Sequence, residues 1–340
     1  MAAKIGVVVI GRNEGERLRR CLRSIDAERS TTVYVDSGSA DGSVEFARGL
    51  GVEVVNLDAE RPFTMARARD AGLARLLEVA PDAELVQFVD GDCELRTGWL
   101  ADARALLEAR VDVAVVCGRR RERHPEASRY NRLIDLEWDG PTGEVEACGG
   151  DAMFRVAVLR ALGGYAEEMI AGEEPELCYR IRRAGFRVLR LPREMTLHDA
   201  AVYRFGQWWR RTLRSGHAFA ECAWRHGHEP ERFRVRRVAS AVCFAGVLPA
   251  VGLLALPVSK LPALAVGLVW LVQGVRVYRG RRRRGDAARD AAAYAFACWL
   301  GRFAELQGIA RFGFRRLLLG RAPALIEYKA GGEAPGPPAG

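Results

Sequence analysis

One long apolar stretch, residues 238–278, sets the strongest limit on how this chain can fold. Residues 238–257 are about 20 apolar positions, which as a helix span roughly 30 Å, the hydrocarbon thickness of a bilayer. Clusters of arginine flank the stretch at 232–237 and 279–284. We therefore expect a membrane-associated helical hairpin over about 238–278, with both ends on the cytoplasmic side by the positive-inside rule. A buried helical pair inside a soluble protein is the alternative.

The residues after the hairpin are less uniformly apolar. Arg302, Glu305 and Arg311 interrupt the stretch 287–319, which favours an amphipathic helix lying in the membrane interface over a third span. Glycine and proline dominate 331–340, a composition typical of a disordered tail. We therefore expect one domain over residues 1–225, a membrane-associated helical region over 226–330 and a disordered tail.

Residues 1–225 alternate strand-like and helix-like segments, which predicts an α/β fold with a Rossmann-like, mostly parallel doubly wound sheet. Helical spacing of apolar residues predicts a helix over 65–79. The strand-like runs are Ile5–Ile10, Thr31–Val35, Val52–Leu57 and Leu85–Val89. Ligands of such sheets bind beyond the carboxyl ends of the strands.

Three polar clusters stand at these strand ends: residues 11–14, residues 36–38, and Asp90 to Asp92. In extended backbone, side chains two residues apart point to the same side, so Asp90 and Asp92 can face one ligand. Carboxylate oxygens suit Mg²⁺ or Mn²⁺, which in turn bind phosphate oxygens. A polar turn that closes a strand is the alternative for this pair.

The formal charge of +9 and the pI near 9.4 suit an anionic partner. Two basic clusters flank the apolar stretch, and no nucleic-acid-binding motif is recognisable, so we expect anionic lipid rather than nucleic acid. The eight cysteines include no C-x-x-C pair, which favours a reduced setting over a disulfide framework. The run Ile5–Ile10 is too short for a signal peptide, so we expect the first domain to stay in the cytosol, at the inner membrane.

Six short motifs carry a resemblance to family 2 glycosyltransferases, which have the GT-A fold, over roughly residues 4 to 225. They stand in the family's order: Val9–Glu14, Val35–Ser43, Ala66–Gly72, Asp90–Asp92, Cys148–Phe154 and Gly172–Cys178. The third motif departs from the family's pattern, because Asp70 replaces the usual asparagine.

The resemblance implies a nucleotide-sugar donor and a divalent metal, Mg²⁺ or Mn²⁺. It assigns Asp36 to the nucleobase, Arg69 to the nucleotide or its phosphates, and Asp90 to the ribose or the metal. It makes Asp92 the main metal ligand and His198 a further ligand. The opening turn adds two donor-binding residues, Asn13 and Glu14. As alternatives, Asp36 is a turn former, Arg69 an exposed helix residue and His198 a structural histidine.

On the acceptor side, the resemblance makes Glu174 the base that takes a proton from the acceptor hydroxyl. The family usually has aspartate here, so the choice among Glu173, Glu174 and Glu176 stays open, and all three also suit the first turn of a helix without catalysis. We assign Gly150, Asp151 and Glu173 to acceptor binding. Capping of the next helix is the alternative for Asp151.

Gln207 and Arg210 partly match the Gln-x-x-Arg-Trp signature of processive members and share a helix face, which suits a diphosphate or acceptor clamp. Arg211 stands where the signature has tryptophan, which argues against a polymer-extruding synthase. An ordinary membrane-interface belt of tryptophan and arginine is the alternative.

These features together predict inverting transfer of a sugar from a nucleoside-diphosphate sugar to a saccharide or lipid-linked acceptor, in cell-envelope or exopolysaccharide synthesis. A nucleotidyltransferase that releases pyrophosphate and a non-catalytic membrane scaffold are the alternatives.

Overall fold

The computed structural model of the chain describes residues 2–26 and 30–319, so the predicted tail over 331–340 lies outside the described residues. The chain divides into two compact units. The sheet unit comprises residues 1–124 and 137–200, and the helical unit comprises 125–136 and the chain from 201 onward. This division falls earlier than the predicted boundary at residue 225, because the helix Phe205–His226 packs against Ala288–Gly313 in the helical unit.

The sheet unit has nine strands within the described residues, in the order β3-β2-β1-β4-β8-β6-β9-β5, with β7 paired to β9. The strands are β1 (Ile5–Gly11), β2 (Thr31–Asp36), β3 (Glu53–Asn56), β4 (Leu85–Asp90), β5 (Cys93–Leu95), β6 (Val113–Glu122), β7 (Gly143–Glu144), β8 (Ala152–Arg155) and β9 (Arg187–His198). Its helices are α1 (Glu16–Asp26), α2 (Ser43–Gly49), α3 (Met65–Val79), α4 (Trp99–Ala109), α6 (Val156–Ala161) and α7 (Glu173–Arg183).

The first four strands are parallel, as predicted, and their carboxyl ends meet at one edge. Gly11 pairs with Asp36, and Ile10 pairs with Asp90, so the polar clusters after β1, β2 and β4 lie side by side. Helix α3 lies close against this part of the sheet because Gly72 has no side chain: a Cβ there would lie 2.3 Å from a methyl carbon of Val8. The α/β fold is confirmed.

The other half of the sheet is mixed, so the expectation of a mostly parallel sheet holds for β1 to β4 only. Strand β8 is antiparallel to both of its neighbours, β4 and β6. Strand β9 is parallel to β6 but antiparallel to β5 and β7. Strands of two to four residues such as β5, β7 and β8 carry too few positions for a period of two to be recognised in the sequence.

The helical unit contains α5 (Arg129–Trp138, of which 129–136 belong to this unit), α8 (Phe205–His226), α9 (Val235–Val242), α10 (Leu248–Ala255), α11 (Leu261–Arg283) and α12 (Ala288–Gly313). A π-helical turn over Cys243–Val247 joins α9 to α10. Helices α8 and α12 cross closely at two glycines: a Cβ on Gly216 or Gly308 would lie 2.1 or 2.0 Å from backbone oxygen of the other helix. Whether α12 also lies in a membrane interface stays a prediction.

Two helical segments are long and apolar enough to cross a membrane: Val235–Ala255 and Leu261–Arg283. Only 17% and 6% of their most apolar windows are buried, so most of these side chains face outward. Leu264 and Leu268 are 66% and 60% exposed. These two segments correspond to the two helices of the hairpin predicted over 238–278. Their low burial disfavours the alternative of a helical pair buried inside a soluble protein.

Candidate active site

The Asp90 carboxylate, at the carboxyl end of β4, lies between two guanidinium groups. Arg69 from α3 donates to Oδ1 at 2.8 Å, and Arg120 from β6 donates to Oδ2 at 2.8 Å. Burial alone would raise the pKa of Asp90, but Arg69 and then Arg120 outweigh it and hold that pKa below its usual value. Asp90 is therefore a carboxylate with both oxygens already engaged.

The two arginines extend this cluster to further carboxylates. Arg69 is 1% exposed, which excludes its alternative as an exposed helix residue, and it donates to Glu173 Oε1 at 2.9 Å. Arg120 Nε donates to Asp151 Oδ2 at 3.0 Å, and Asp151 Oδ1 accepts the Asp90 backbone N–H at 2.8 Å. The five residues form one charge network, which we call the arginine–carboxylate cluster; Arg69, Asp151 and Glu173 are buried, and Asp90 and Arg120 are half-buried.

Gly150 borders this cluster, and a Cβ on it would lie 2.6 Å from Asp90 Oδ2. The absence of a side chain is thus required by the cluster itself. Asp151 is fully buried and is held by Arg120 and by the Thr196 hydroxyl, which donates at 2.8 Å. Its role as a helix cap finds no support in these bonds, because its partners are a strand arginine, a strand threonine and the Asp90 N–H.

Arg120 is a member of the cluster that the sequence did not reveal. It lies in the basic run 117–123, which suits a solvated charged surface equally well. Its partners, Asp90 and Asp151, are 30 and 31 residues away in sequence. No local pattern marks such a contact. The ring of Trp138, 5.1 Å from the guanidinium carbon, covers one face of Arg120.

The second group of site residues comprises Asp92 and His198. Asp92 Oδ2 lies 3.3 Å from His198 Nε2, and both residues are buried. His198 Nδ1 lies 3.2 Å from Glu122 Oε2, so Glu122 orients the ring and directs Nε2 toward Asp92. Burial opposes protonation of His198, but Asp92 and then Glu122 hold its pKa above its usual value. The Cys93 thiol, 3.5 Å from Asp92 Oδ1, completes a set of metal-type ligands.

Three glutamates occupy the first turn of α7, and each has a different partner. Glu173 pairs with Arg69. Glu176 makes an ion pair of 2.9 Å with Arg180. Glu174 Oε1 accepts the backbone N–H of Cys148 at 2.5 Å and lies 3.0 Å from the Cys178 sulfur. Within the part of the chain that the structure describes, Glu174 is the one of the three that forms no ion pair with an arginine.

Asp36 and Asn13, both predicted to bind the donor, stabilise the turns that follow β2 and β1. Asp36 accepts from the Tyr34 hydroxyl at 2.8 Å and from the backbone N–H groups of Gly38 and Ser39 at 2.9 and 2.8 Å. Asn13 Oδ1 accepts the Ala40 N–H at 2.8 Å. Asp36 thus makes the bonds of a turn former, and its contact with a nucleobase stays a prediction.

Glu14 and Asp70 also have structural partners. Glu14 pairs with Arg17 at 2.8 Å. Both oxygens of Asp70 accept the Tyr165 backbone N–H at 3.0 Å, and burial raises the pKa of Asp70 to about 7. The Tyr165 ring lies 5.6 Å from the Arg69 guanidinium carbon. Asp70, at the position where the family has asparagine, therefore holds a segment that borders the arginine–carboxylate cluster.

Gln207 and Arg210 belong to the helical unit. Gln207 Oε1 accepts the backbone N–H groups of Tyr203 and Arg204 at 2.9 and 3.0 Å, so its amide caps the start of α8. Arg210 is exposed on the same helix. The capping bonds explain why Gln207 is buried, and the binding of a donor by this pair stays a prediction.

Comparison with known proteins gives the following. Residues 6–163 match the family model described as glycosyl transferase family 2. Pre-mycofactocin glycosyltransferase of Mycobacterium tuberculosis is 28% identical over 308 residues, which cover 86% of this chain and 61% of that protein. Succinoglycan biosynthesis protein ExoA of Rhizobium meliloti is 27% identical over 184 residues, which cover 51% of this chain and 54% of that protein. The matches thus span less than two thirds of these relatives.

Among solved structures, a mannosyltransferase from Pyrobaculum calidifontis in complex with GDP-Man and Mn²⁺ is similar with a TM-score of 0.57. The identity is 23%, and the match covers 87% of each chain, which shows a likeness of fold. The family match covers β1 to β4, the motif at Asp90 to Asp92 and the segment with Gly150 and Asp151. Residues 6–163 are therefore similar to glycosyl transferase family 2, and the chain shares the fold of this mannosyltransferase.

Proposed function

We propose that the chain is an inverting glycosyltransferase that moves one sugar from a nucleoside-diphosphate sugar to an acceptor hydroxyl. The observation that carries the proposal is the buried pair Asp92 and His198, whose Oδ2 and Nε2 lie 3.3 Å apart. Asp92 stands two residues after Asp90 of the arginine–carboxylate cluster. A carboxylate and an imidazole at this separation suit a divalent ion that in turn holds a diphosphate.

The residues present fit a metal, and Asp92 and His198 are the ones that would hold it. Asp90 is the poorer ligand, because guanidinium groups already engage both of its oxygens. We assign to Asp90 the ordering of Arg69 and Arg120. The bound ion would offset the charge that grows on the diphosphate as it leaves. Mn²⁺ with GDP-Man in the Pyrobaculum calidifontis mannosyltransferase supports a divalent metal and a nucleotide sugar here.

Glu174 is the residue that we assign as the base. It would accept the proton of the acceptor hydroxyl as that oxygen bonds to the anomeric carbon and the bond to the diphosphate breaks, with inversion. The Cys148 N–H fixes its Oε1 next to the segment with Gly150 and Asp151, for which we propose acceptor binding together with Glu173. Donor binding by Asn13, Glu14, Asp36, Arg69, Gln207 and Arg210 belongs to the same proposal.

For the acceptor we propose a saccharide or a lipid-linked saccharide of the cell envelope or of an exopolysaccharide. Succinoglycan biosynthesis protein ExoA and pre-mycofactocin glycosyltransferase, the relatives described above, support a role in glycan or glycoconjugate synthesis by their names. The two candidate spans with arginines at their outer ends support attachment to an anionic membrane with the sheet unit on the cytoplasmic side.

A metal-dependent binding experiment tests the proposed activity. We expect nucleoside-diphosphate sugars to raise the melting temperature of the full chain in detergent only with Mn²⁺ or Mg²⁺. Asp92→Asn should abolish that increase, because it removes an anionic ligand. Asp82→Asn, a change to an exposed carboxylate at the opposite edge of the sheet, should retain it.

The same donors distinguish the alternatives by their products. Release of a nucleoside diphosphate supports glycosyl transfer, whereas release of pyrophosphate would identify a nucleotidyltransferase. If Asp92→Asn left both the thermal shift and cellular function unchanged, the scaffold alternative would replace the proposal.

Membrane attachment has its own test. We expect the full chain to remain in the membrane pellet after an alkaline carbonate wash. The double variant Leu264→Lys/Leu268→Lys should move into the wash, because each charge near a span centre costs about 2.5–3.5 kcal/mol of insertion free energy. Leu50→Lys, at an exposed leucine of the sheet unit, is the matched control and should stay in the pellet. Wild-type chain in the wash would contradict attachment.

A further inference from the structure

Two cysteines lie beside Glu174, and neither thiol has a part in the mechanism proposed above. The sulfurs of Cys148 and Cys178 are 3.6 Å apart, and the Cys178 sulfur is 3.0 Å from Glu174 Oε1. Cys178 and Glu174 are four residues apart on α7 and so share one face of the helix, whereas Cys148 lies in the segment before β8. The ligand atoms of all three residues lie within 4.8 Å of one another.

These distances are close to those of a tetrahedral zinc site. With Zn–S bonds of about 2.3 Å, two thiolates on one ion have sulfurs about 3.8 Å apart, and a sulfur and a carboxylate oxygen lie about 3.6 Å apart. The observed separations are 3.6 Å and 3.0 Å. To reach the zinc values, the sulfur–sulfur separation would widen by roughly 0.2 Å and the Cys178–Glu174 separation by roughly 0.6 Å. Gly149, with φ of +85°, follows Cys148 directly, so the backbone there already turns sharply next to the site.

We propose that Cys148, Cys178 and Glu174 form a second metal site, which takes a thiophilic divalent ion such as Zn²⁺. It differs in chemistry from the group of Asp92, Cys93 and His198, which has one thiol, because two thiolates favour Zn²⁺ more strongly over Mg²⁺ and Mn²⁺. Three protein ligands leave the fourth tetrahedral position open.

Protons are exchanged for the metal at this site. Burial raises the pKa of both thiols, so each sulfur carries its proton in the metal-free protein. Binding of M²⁺ replaces these two protons by two metal–sulfur bonds, with no change of oxidation state. The affinity should therefore increase as the pH rises.

Metal binding at this site should inhibit sugar transfer, an expectation that rests on the proposed role of Glu174 as the base. Glu174 Oε1 would be bound to the ion and would no longer accept a proton from the acceptor. Zn²⁺ should therefore inhibit transfer, and Mg²⁺ or Mn²⁺ should not.

Co²⁺, which takes the same ligands as Zn²⁺, is the probe for the site itself. We expect titration of the reduced, untagged full chain with Co²⁺ to give near-ultraviolet thiolate-to-cobalt absorption that Zn²⁺ abolishes. Cys148→Ser and Cys178→Ser should each weaken Co²⁺ binding by at least tenfold. Cys222→Ser, a change to another buried cysteine, should not, and neither should Asp92→Asn.

Inhibition is measured separately, so the two proposals can fail independently. Zn²⁺ should inhibit the wild type over the range in which it displaces Co²⁺, and Cys178→Ser should need at least tenfold more Zn²⁺. Absorption without inhibition would support the site and count against Glu174 as the base. No thiolate absorption in a chain whose eight cysteines all react as free thiols, or equal absorption in both serine variants, would overturn the site.

Discussion

Glu174→Gln is expected to lower kcat by about 10²–10⁴, the usual contribution of general base catalysis, while donor affinity changes by no more than about twofold. Glutamine keeps the shape of the side chain and can still accept the Cys148 N–H, but it cannot take a proton from the acceptor. The loss should therefore appear in the chemical step.

The two neighbouring glutamates are the matched controls, because each has an arginine partner that gives it a different role. Glu176 engages Arg180, which also donates to the carbonyls of Leu162 and Gly164 at 2.7 Å. Glu176→Gln should therefore lower the melting temperature more than it lowers kcat. Glu173 engages Arg69, so Glu173→Gln should weaken donor or acceptor binding, seen in KM.

Steady-state kinetics with the donor found by thermal stabilisation, together with melting curves for all three variants, separate these effects. If Glu173→Gln or Glu176→Gln lost kcat by a factor of 10² or more while Glu174→Gln did not, the base would have to be reassigned to that residue.

Much of the fold was predictable because its signals are local. Apolar runs such as Ile5–Ile10 and Leu85–Val89 are each long enough to identify a buried strand, and the four parallel strands place Asp36 and Asp90 at one edge. The hairpin was equally predictable from hydropathy and flanking charge. The mixed half of the sheet was not, since β8 has only four residues and its pairing depends on distant strands.

The structure brings several of the predicted site residues together, but the sequence did not indicate their hydrogen-bond partners, and their functional roles stay predictions. Asp90 and Asp92 were recognised together in the sequence. In the structure, Asp90 forms ion pairs with two arginines, whereas Asp92 lies against His198. Arg120 and Glu122 were missed because their partners lie on other strands. A strand residue selects its partner through sheet register and side-chain packing, and neither is encoded in nearby sequence.

Arg120→Met is expected to lower the free energy of unfolding by about 3–5 kcal/mol, the typical cost when one partner of a buried ion pair is removed. Methionine fills much of the volume against Trp138 but donates no hydrogen bond. Asp151 would still accept hydrogen bonds from the Asp90 N–H and the Thr196 hydroxyl, and Asp90 would still pair with Arg69. Both carboxylates would lose the Arg120 guanidinium that they share. Arg121→Met is the matched control. The Arg121 side chain is 45% exposed, and its ion pair with Glu194 should contribute at most about 1 kcal/mol.

The pH dependence of this effect identifies its origin. In the wild type, the arginines hold the pKa of Asp90 below its usual value, so the ion pairs stabilise the fold above that usual value and lose their effect only as the pH falls through the lowered pKa. Without Arg120, one of the two cations that lower the pKa of Asp90 is missing, so this pKa moves back toward its usual value of about 3.9. The stability difference between wild type and Arg120→Met should therefore be the same at pH 7.5 and pH 5 and should decrease below about pH 4, where Asp90 of the variant takes up its proton first.

A double-mutant cycle with Asp151→Asn completes the test, because it removes one of the two carboxylates that Arg120 neutralises. The double variant Arg120→Met/Asp151→Asn should be more stable than Arg120→Met alone, with a coupling energy of about 1–3 kcal/mol measured by denaturant unfolding of the full chain in detergent. Additive effects of the two substitutions, or equal destabilisation by Arg121→Met, would show that Arg120 acts through packing on Trp138 and not through the charge network that holds Asp90.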